Sequence, residues 1–353
     1  MPDARCLMPD AGPIQSVRWA ANQRAVRIID QRRLPNEFVE LDLTTLAEVR
    51  EAIQTLAVRG APAIGICGAM GLAVSLAGHA DESRDAFLAR ARDIASDIAA
   101  TRTTAVNLAW ALNRVLDRAG RTQGESMDML EAMRQEATAI LEEDRAMCLR
   151  IGEAGADLLP DGARVLTHCN AGALATGGLG TALAPIYVAS SRGKKVCVLA
   201  TETRPLLQGS RLTAWELTRA GIPVTVITDS AAGSRMRAGG VDVCIVGADR
   251  VVANGDVANK MGTYGLAVLA RHHGIPFYVA MPSSTIDKTL PSGDRITIEE
   301  RDPREVSTLG GRSVTAETAT IGNAAFDVTP AELITAFITD RGVVSPPYFF
   351  GEQ

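Results

Sequence analysis

Aromatic residues are scarce, at 4% of 353 positions, so the chain is poorly supplied with stacking platforms for single-stranded nucleic acid. Its 36 basic residues are scattered with no run that could track a phosphate backbone, and the net charge of -5 is small for this length. Nucleic acid is therefore excluded as an expected partner. The six cysteines form no CxxC pair and keep no regular spacing, which argues against a zinc site or a disulfide framework and leaves reduced thiols. The opening MPDARCLMPDAG has neither a cationic n-region nor an apolar h-region, and the apolar stretches read as interrupted by charge before they reach membrane length. A cytoplasmic protein without a membrane segment is the expectation. No nucleotide fingerprint fits either: GALATGG lacks the Lys-Ser/Thr of a P-loop, and GGLGTA falls in the wrong place for GxGxxG.

What is present is ordinary globular material, 46% hydrophobic and 22% charged, enough for a large core and most naturally for two domains. AVRIID and FVEL read as short strands, and residues 44–119 then read as helical. Within that region AVRGAPAIGICGAMGLAVSLAG is rich in Gly and Ala, so its helices can pack with close backbones, and Pro62 suits a first helical turn. A long amphipathic pattern over residues 127–159 predicts one helix bridging the two halves. We place the boundary within it, near Asp144, giving an N-terminal β/helical domain of residues 1–143 and a catalytic domain of residues 144–353. Beyond Pro160, RVLTHCN, KVCVLA, PVTVITD, VDVCIVGADR and PFYVAMP are β-branched runs separated by helix-length segments. That alternation predicts βαβ units and a parallel sheet covered on both faces.

In such sheets ligands sit beyond the carboxyl ends of the strands, which makes the residues there the site candidates. Cys169, in THCNAG, precedes a Gly-rich turn expected to lead into a helix, where free amides and the dipole can bind an anion and lower a thiol pKa. Position alone leaves open whether it acts or merely packs. Asp249 follows a strand that is nearly all apolar, so its carboxylate is expected to emerge from a dry environment that raises its pKa toward an acid/base range. Pairing with Arg250 or capping the next turn are the structural alternatives. Asn259 and Lys260 are expected to open a helix after a polar turn, and Lys260 is one of only four lysines beside 32 arginines. Gln208, at the start of the helix after the second strand of this domain, can offer an amide to sugar hydroxyls. Arg59 and Arg102 lie beside tight or capped turns, where a guanidinium fork suits a phosphate.

Taken together, RGAPAIG, TAVNLAWAL, THCNAGALAT, ETRPLLQGSRLTAWEL, TDSAAG, GADRVVANGDVANKMGTYGLAVLA and ITDRGVVSPP closely resemble the methylthioribose-1-phosphate isomerase family, in the same order from Arg59 to Pro347. The resemblance implies an α/β protein with a small N-terminal β plus helical domain followed by a Rossmann-like parallel-sheet domain shared with initiation factor 2B regulatory subunits. It implies an aldose–ketose isomerase of methionine salvage that converts 5-methylthioribose 1-phosphate to 5-methylthioribulose 1-phosphate, with no metal or organic cofactor, commonly as a homodimer. Carried over by motif, Cys169 and Asp249 look like the catalytic pair, and Arg59, Gly60, Ala61, Arg102, Gln208, Asn259 and Lys260 like substrate contacts. Two departures are visible: Thr103 stands where the family usually shows Pro, and TDSAAGSRMRAGG is less like the usual helix start. The rival readings are an isomerase of 5-deoxyribose 1-phosphate or ribose 1,5-bisphosphate, and a non-catalytic regulatory protein of the same fold. An apolar AIGICGAMG beside Arg59 suits a methylthio group better than a second phosphate.

Overall fold

The computed structural model describes residues 14–102, 106–348 and 350. The chain divides into two compact units, one built on residues 14–148 with 172–180, the other on residues 149–171 and 181 onward.

The first unit opens with an antiparallel sheet of β1 (Val17–Trp19), β2 (Val26–Ile29) and β3 (Glu40–Leu43), in register Val17↔Ile28 and Val26↔Leu43. Alternation places Val26 and Ile28 on the buried face. The strand β1 was not foreseen, because three residues carry too little periodicity to read without their partner. Then come α1 (Leu46–Gln54), α2 (Ala61–Ser75), α3 (Arg84–Ala99), α4 (Val106–Arg121) and the long α5 (Ser126–Ala156). A capping box starts α1: the Glu48 amide donates to Thr45 Oγ1, and Glu48 Oε2 accepts from the Thr45 amide. Helix α2 is buried nearly all round. A Cβ on Gly65 would lie 2.9 Å from the Asn107 carbonyl of α4, and one on Gly71 2.6 Å from Val49 of α1, so the small residues permit three helices to close on one another.

One apolar stretch departs from the sequence expectation. The 19 residues Ala61–His79 carry no Asp, Glu, Lys or Arg and are long and apolar enough to cross a membrane, so charge does not interrupt every apolar stretch. Most of that stretch, 72%, is buried within the chain, and its Ile66, Met70 and Leu72 pack with Ile28, Phe87 and Leu108. It is the core helix of the unit.

The second unit contains β4 (Ala163–Thr167), α6 (Ala184–Ser191), β5 (Val196–Thr201), α7 (Ala214–Arg219), β6 (Val224–Ile227), α8 (Ala232–Arg237) and β7 (Val243–Val246). These are followed by β8 (Arg250–Val252), β9 (Val257–Lys260), α9 (Thr263–His272), β10 (Phe277–Ala280), β11 (Ile286–Asp287), β12 (Thr308–Leu309), β13 (Arg312–Ser313), β14 (Phe326–Thr329), β15 (Ala336–Thr339) and β16 (Gly342–Val344). The main sheet has the order β16-β15-β10-β7-β4-β5-β6, parallel except for β16. Outward from β4 the chain adds β5 and β6 on one side, then β7, β10 and β15 on the other. This is the doubly wound Rossmann order, and its direction reverses between β4 and β7. Those two strands are direct neighbours, with Val165 opposite Val243 and Leu166 opposite Cys244.

A second sheet, β11-β8-β9-β14, replaces the expected polar turn and helix start after Asp249. Asn254 and Asp256 close the β8–β9 hairpin: Asn254 Oδ1 accepts the Asp256 amide, while the Val252 amide donates to the Asp256 carbonyl. Asn259 and Lys260 therefore end a strand rather than open a helix. Helix α9 begins at Thr263, after Gly262 (φ 107) turns the chain and Asp327 accepts the amides of Gly262 and Tyr264.

Candidate active site

Cys169 lies two residues past the end of β4 with φ 64, a left-handed conformation costing a non-glycine residue roughly 1–3 kcal/mol. Its backbone is held at both ends. The amide donates to Thr203 Oγ1 at 2.9 Å, and the carbonyl accepts from Thr213 Oγ1 at 2.7 Å. Thr203 is itself left-handed, at φ 65, and the amides of Thr203 and Arg204 donate to the two oxygens of Asp229 at 2.8 and 2.7 Å. The carboxyl ends of β4, β5 and β6 are thus linked in series through Cys169, Thr203 and Asp229.

The neighbours of Cys169 are equally engaged. His168 is buried, with Nε2 2.8 Å from the Met261 carbonyl and Nδ1 2.6 Å from Thr201 Oγ1. A carbonyl only accepts, so Nε2 carries a hydrogen directed at Met261, and the neutral imidazole is the form that burial favours, which lowers its pKa. Asn170, also buried, donates to Thr213 Oγ1 and Glu216 Oε1, both at 3.1 Å.

The helix end expected beside Cys169 is not there. Residues 172–180 form a short 3-10 turn at Ala173–Ala175 and an irregular loop, and α6 begins only at Ala184. Four glycines among nine residues give that loop too little helix propensity to continue.

Asp249 leaves β7 by way of Gly247, whose Cβ would meet the Ala171 Cβ at 2.8 Å, so the turns bearing Cys169 and Asp249 pack on each other. The Asp249 amide donates to the Ala258 carbonyl at 3.0 Å, placing it beside Asn259. The Asp249 side chain is exposed, which corrects the expected dry environment. The physical reason is that the apolar strand stops at Val246 and two small residues carry the chain out of the sheet. Arg250 faces Asp287 at 3.5 Å.

Around this pair, Asn259 is buried and donates to Thr263 Oγ1 at 3.0 Å. Lys260 Nζ donates to the Ala325 carbonyl at 2.9 Å and stands 4.5 Å from the Phe326 ring centre. Gln208 is 7% exposed, and its Oε1 is buried without a hydrogen-bond partner among the described residues. The residue after it must be glycine, because a Cβ at Gly209 would lie 1.8 Å from the Thr201 carbonyl oxygen.

The remaining candidates belong to the first unit. Gly60 is the N-cap of α2 at φ 90, and a Cβ there would sit 2.5 Å from the Cα and carbonyl oxygen of Ala175. Ala61 is the first residue of α2, and Arg59, half-buried, stands two residues before it. Arg102 follows α3, and its guanidinium has no partner among the described residues. Thr103 lies outside the described residues. Cys67 and Cys244 are core residues, their thiols pushed up to about 12 by burial. Among the described residues no group of three or more His, Cys, Asp or Glu could hold a metal ion.

A cavity of about 600 Å³ opens beside Arg271, Pro276, Glu332, Thr335 and Tyr348. It lies at the amino ends of β10 and β15, the end of the sheet opposite to Cys169, where open α/β sheets do not place their ligands. Thr203 and Asp229 lie in the strand-end segments ETR and TDS, whereas Thr213 and Glu216, farther along the chain, carry no such signal.

Residues 57–346 match the Initiation factor 2 subunit family. The chain belongs to this family. Among its relatives, one named 5-deoxyribose 1-phosphate isomerase, from Moorella thermoacetica, is 53% identical over 95% of this chain and 95% of its own. Another, named methylthioribose-1-phosphate isomerase, from Pelotomaculum thermopropionicum, is 53% identical over 95% of this chain and 92% of its own. A crystal structure described as 5-methylthioribose 1-phosphate isomerase from Pyrococcus horikoshii superposes with a TM-score of 0.91 at 44% identity, covering 98% of this chain and 96% of that one. In this initiation factor 2 subunit family member, then, the doubly wound sheet and the small N-terminal sheet with its helical layer are those of an isomerase fold.

Proposed function

We propose that the protein is an aldose–ketose isomerase of methionine salvage that converts 5-methylthioribose 1-phosphate to 5-methylthioribulose 1-phosphate, a reading supported by relatives that bear the name methylthioribose-1-phosphate isomerase. The observation that carries this reading is that Cys169 and Asp249 follow β4 and β7, the adjacent parallel strands at which the sheet order reverses. The proposal includes a cytoplasmic homodimer, and Arg59, Gly60, Ala61, Arg102, Gln208, Asn259 and Lys260 as substrate contacts.

Phosphate on the anomeric oxygen prevents the sugar ring from opening to a free aldehyde, so acid must act first. Asp249 gives its proton to the ring oxygen, the bond from that oxygen to C1 breaks, and an oxocarbenium forms at C1. In one route the hydrogen at C2 moves to C1 as hydride, and the C2 hydroxyl releases its proton to the Asp249 carboxylate as the ketone forms. Cys169 then contributes to the apolar wall that stabilises the transition state. In the other route a base, a role open to Cys169, takes the C2 proton to give an enediolate-like intermediate, C1 is reprotonated, and the C2 hydroxyl releases its proton to the Asp249 carboxylate as the ketone forms. Turnover in deuterated water separates them: deuterium at C1 of the product supports the proton route, and its absence supports hydride transfer.

The second substrate reading, 5-deoxyribose 1-phosphate, is favoured by the name of the Moorella relative. Assaying 5-methylthioribose 1-phosphate, 5-deoxyribose 1-phosphate and ribose 1,5-bisphosphate side by side tests the assignment. We expect the first to have the highest kcat/KM and the bisphosphate to be poorest. Turnover of none of the three overturns the isomerase reading in favour of a non-catalytic regulatory protein.

A further inference from the structure

Glu216 is fully buried on α7, two turns after Gln208, in a unit whose other anionic groups lie mostly at the surface. Burying a carboxylate is costly unless hydrogen bonds engage it. One of its partners is the buried Asn170 amide, which bridges Glu216 Oε1 and Thr213 Oγ1 at 3.1 Å each. Thr213 in turn gives its hydroxyl hydrogen to the Cys169 carbonyl at 2.7 Å. The direction of every bond in this series is set. A carboxylate can only accept, so Asn170 Nδ2 must donate; Thr213 Oγ1 accepts from Asn170, and its one hydrogen is free to go to Cys169.

We infer that Glu216 is a positioning residue for the reaction proposed above, acting through Asn170 and Thr213 to hold the left-handed turn that presents the Cys169 thiol. This rests on Cys169 belonging to the active site. The turn has a reason to need such support: φ 64 at a non-glycine residue is strained, and it persists only where surrounding bonds over-determine it. On the amide side Thr203 and Asp229 supply the restraint, and on the carbonyl side the restraint is the series ending at Glu216. Tyr187, fully buried on α6, lies near enough that the Glu216 charge adds to burial in raising its phenol pKa.

The test uses the full chain with Thr213→Val, Thr213→Ser and Glu216→Ala. Three quantities are read: kcat and KM with 5-methylthioribose 1-phosphate, the rate of Cys169 alkylation by iodoacetamide followed by mass spectrometry, and thermal midpoint. Loss of one buried hydrogen bond predicts that Thr213→Val lowers kcat by about tenfold or more with little change in KM, and shifts the alkylation rate by at least about threefold. Thr213→Ser, which keeps the hydroxyl, restores both. Glu216→Ala reproduces the Thr213→Val effects. A folded Glu216→Ala or Thr213→Val protein with wild-type kcat and wild-type alkylation overturns the inference and reduces these residues to packing. Should Glu216→Ala fail to fold, the Thr213 pair decides alone. If the wild type turns over no sugar phosphate, the functional reading falls, while the alkylation rates still report on whether Thr213 and Glu216 orient Cys169.

Discussion

The amide of Cys169 donates to the hydroxyl of Thr203 at 2.9 Å, joining the ends of β4 and β5 at a point where both residues are left-handed. An amide committed in this way is not available as a donor to substrate, so the contribution of Cys169 falls to its side chain. Thr203→Val, nearly isosteric, leaves that amide without its acceptor. We expect a loss of about 1–3 kcal/mol in stability and a fall in kcat larger than the change in KM. Equal kcat in Thr203→Val and wild type would show that the bond does not shape the site.

Asp249→Asn and Cys169→Ser are each expected to lose kcat by roughly 10²-fold or more, the scale of an acid/base or electrostatic group, while the proteins stay folded. Both side chains are solvent-accessible to some degree, so circular dichroism and thermal midpoint should change little. Near wild-type turnover in either variant removes that residue from the mechanism.

Gly60→Ala tests the start of α2. A Cβ there is unfavourable twice over, from φ 90 and from the 2.5 Å approach to the Ala175 backbone, so we expect destabilisation above the roughly 1 kcal/mol of an ordinary glycine-to-alanine conflict. Denaturant unfolding measures it. A variant as stable as the wild type would mean that the loop at Ala175 yields freely.

Asp144 makes stability depend on pH. Burial raises its pKa to about 6, although the Gly177 amide donates to Oδ2 at 2.6 Å and opposes the rise. With the folded value above the unfolded one, the fold favours the protonated acid; that stabilisation is complete below about pH 4 and is lost as pH rises through 6. Asp144→Asn keeps an oxygen acceptor for Gly177 and cannot ionise. Its advantage over wild type should be near zero at pH 4 and grow to about 3 kcal/mol above pH 7, the size that a shift of this magnitude carries. An Asn variant less stable than wild type at pH 8 would show the ionised carboxylate to be the favoured form.

Continuous β-branched runs such as KVCVLA made the strands of the main sheet legible, since a near-continuous apolar run of strand length needs no partner to be recognised. The positions of Cys169 and Asp249 followed at once, because a strand-end rule converts strand boundaries into site candidates. By the same local logic the 31-residue α5 was visible as one long amphipathic run. The hairpin that carries Asn259 and Lys260 was not visible: VVANGDVANK has a polar turn flanked by short runs, which local propensity reads equally as a loop before a helix. Its identity as a strand depends on pairing with β14, some 65 residues later in the chain.

What the sequence by itself determined is the kind of protein: an α/β chain whose candidate cysteine and aspartate stand at strand ends. Only the tertiary structure decided how those residues are held. The left-handed turn at Cys169, its clamps at Thr203 and Thr213, the buried Glu216 behind them and the exposure of Asp249 all arise from contacts between segments tens of residues apart. Local propensity carries no information about such contacts, because the hydrogen-bond partners that pay for a strained backbone exist only once the strands are side by side.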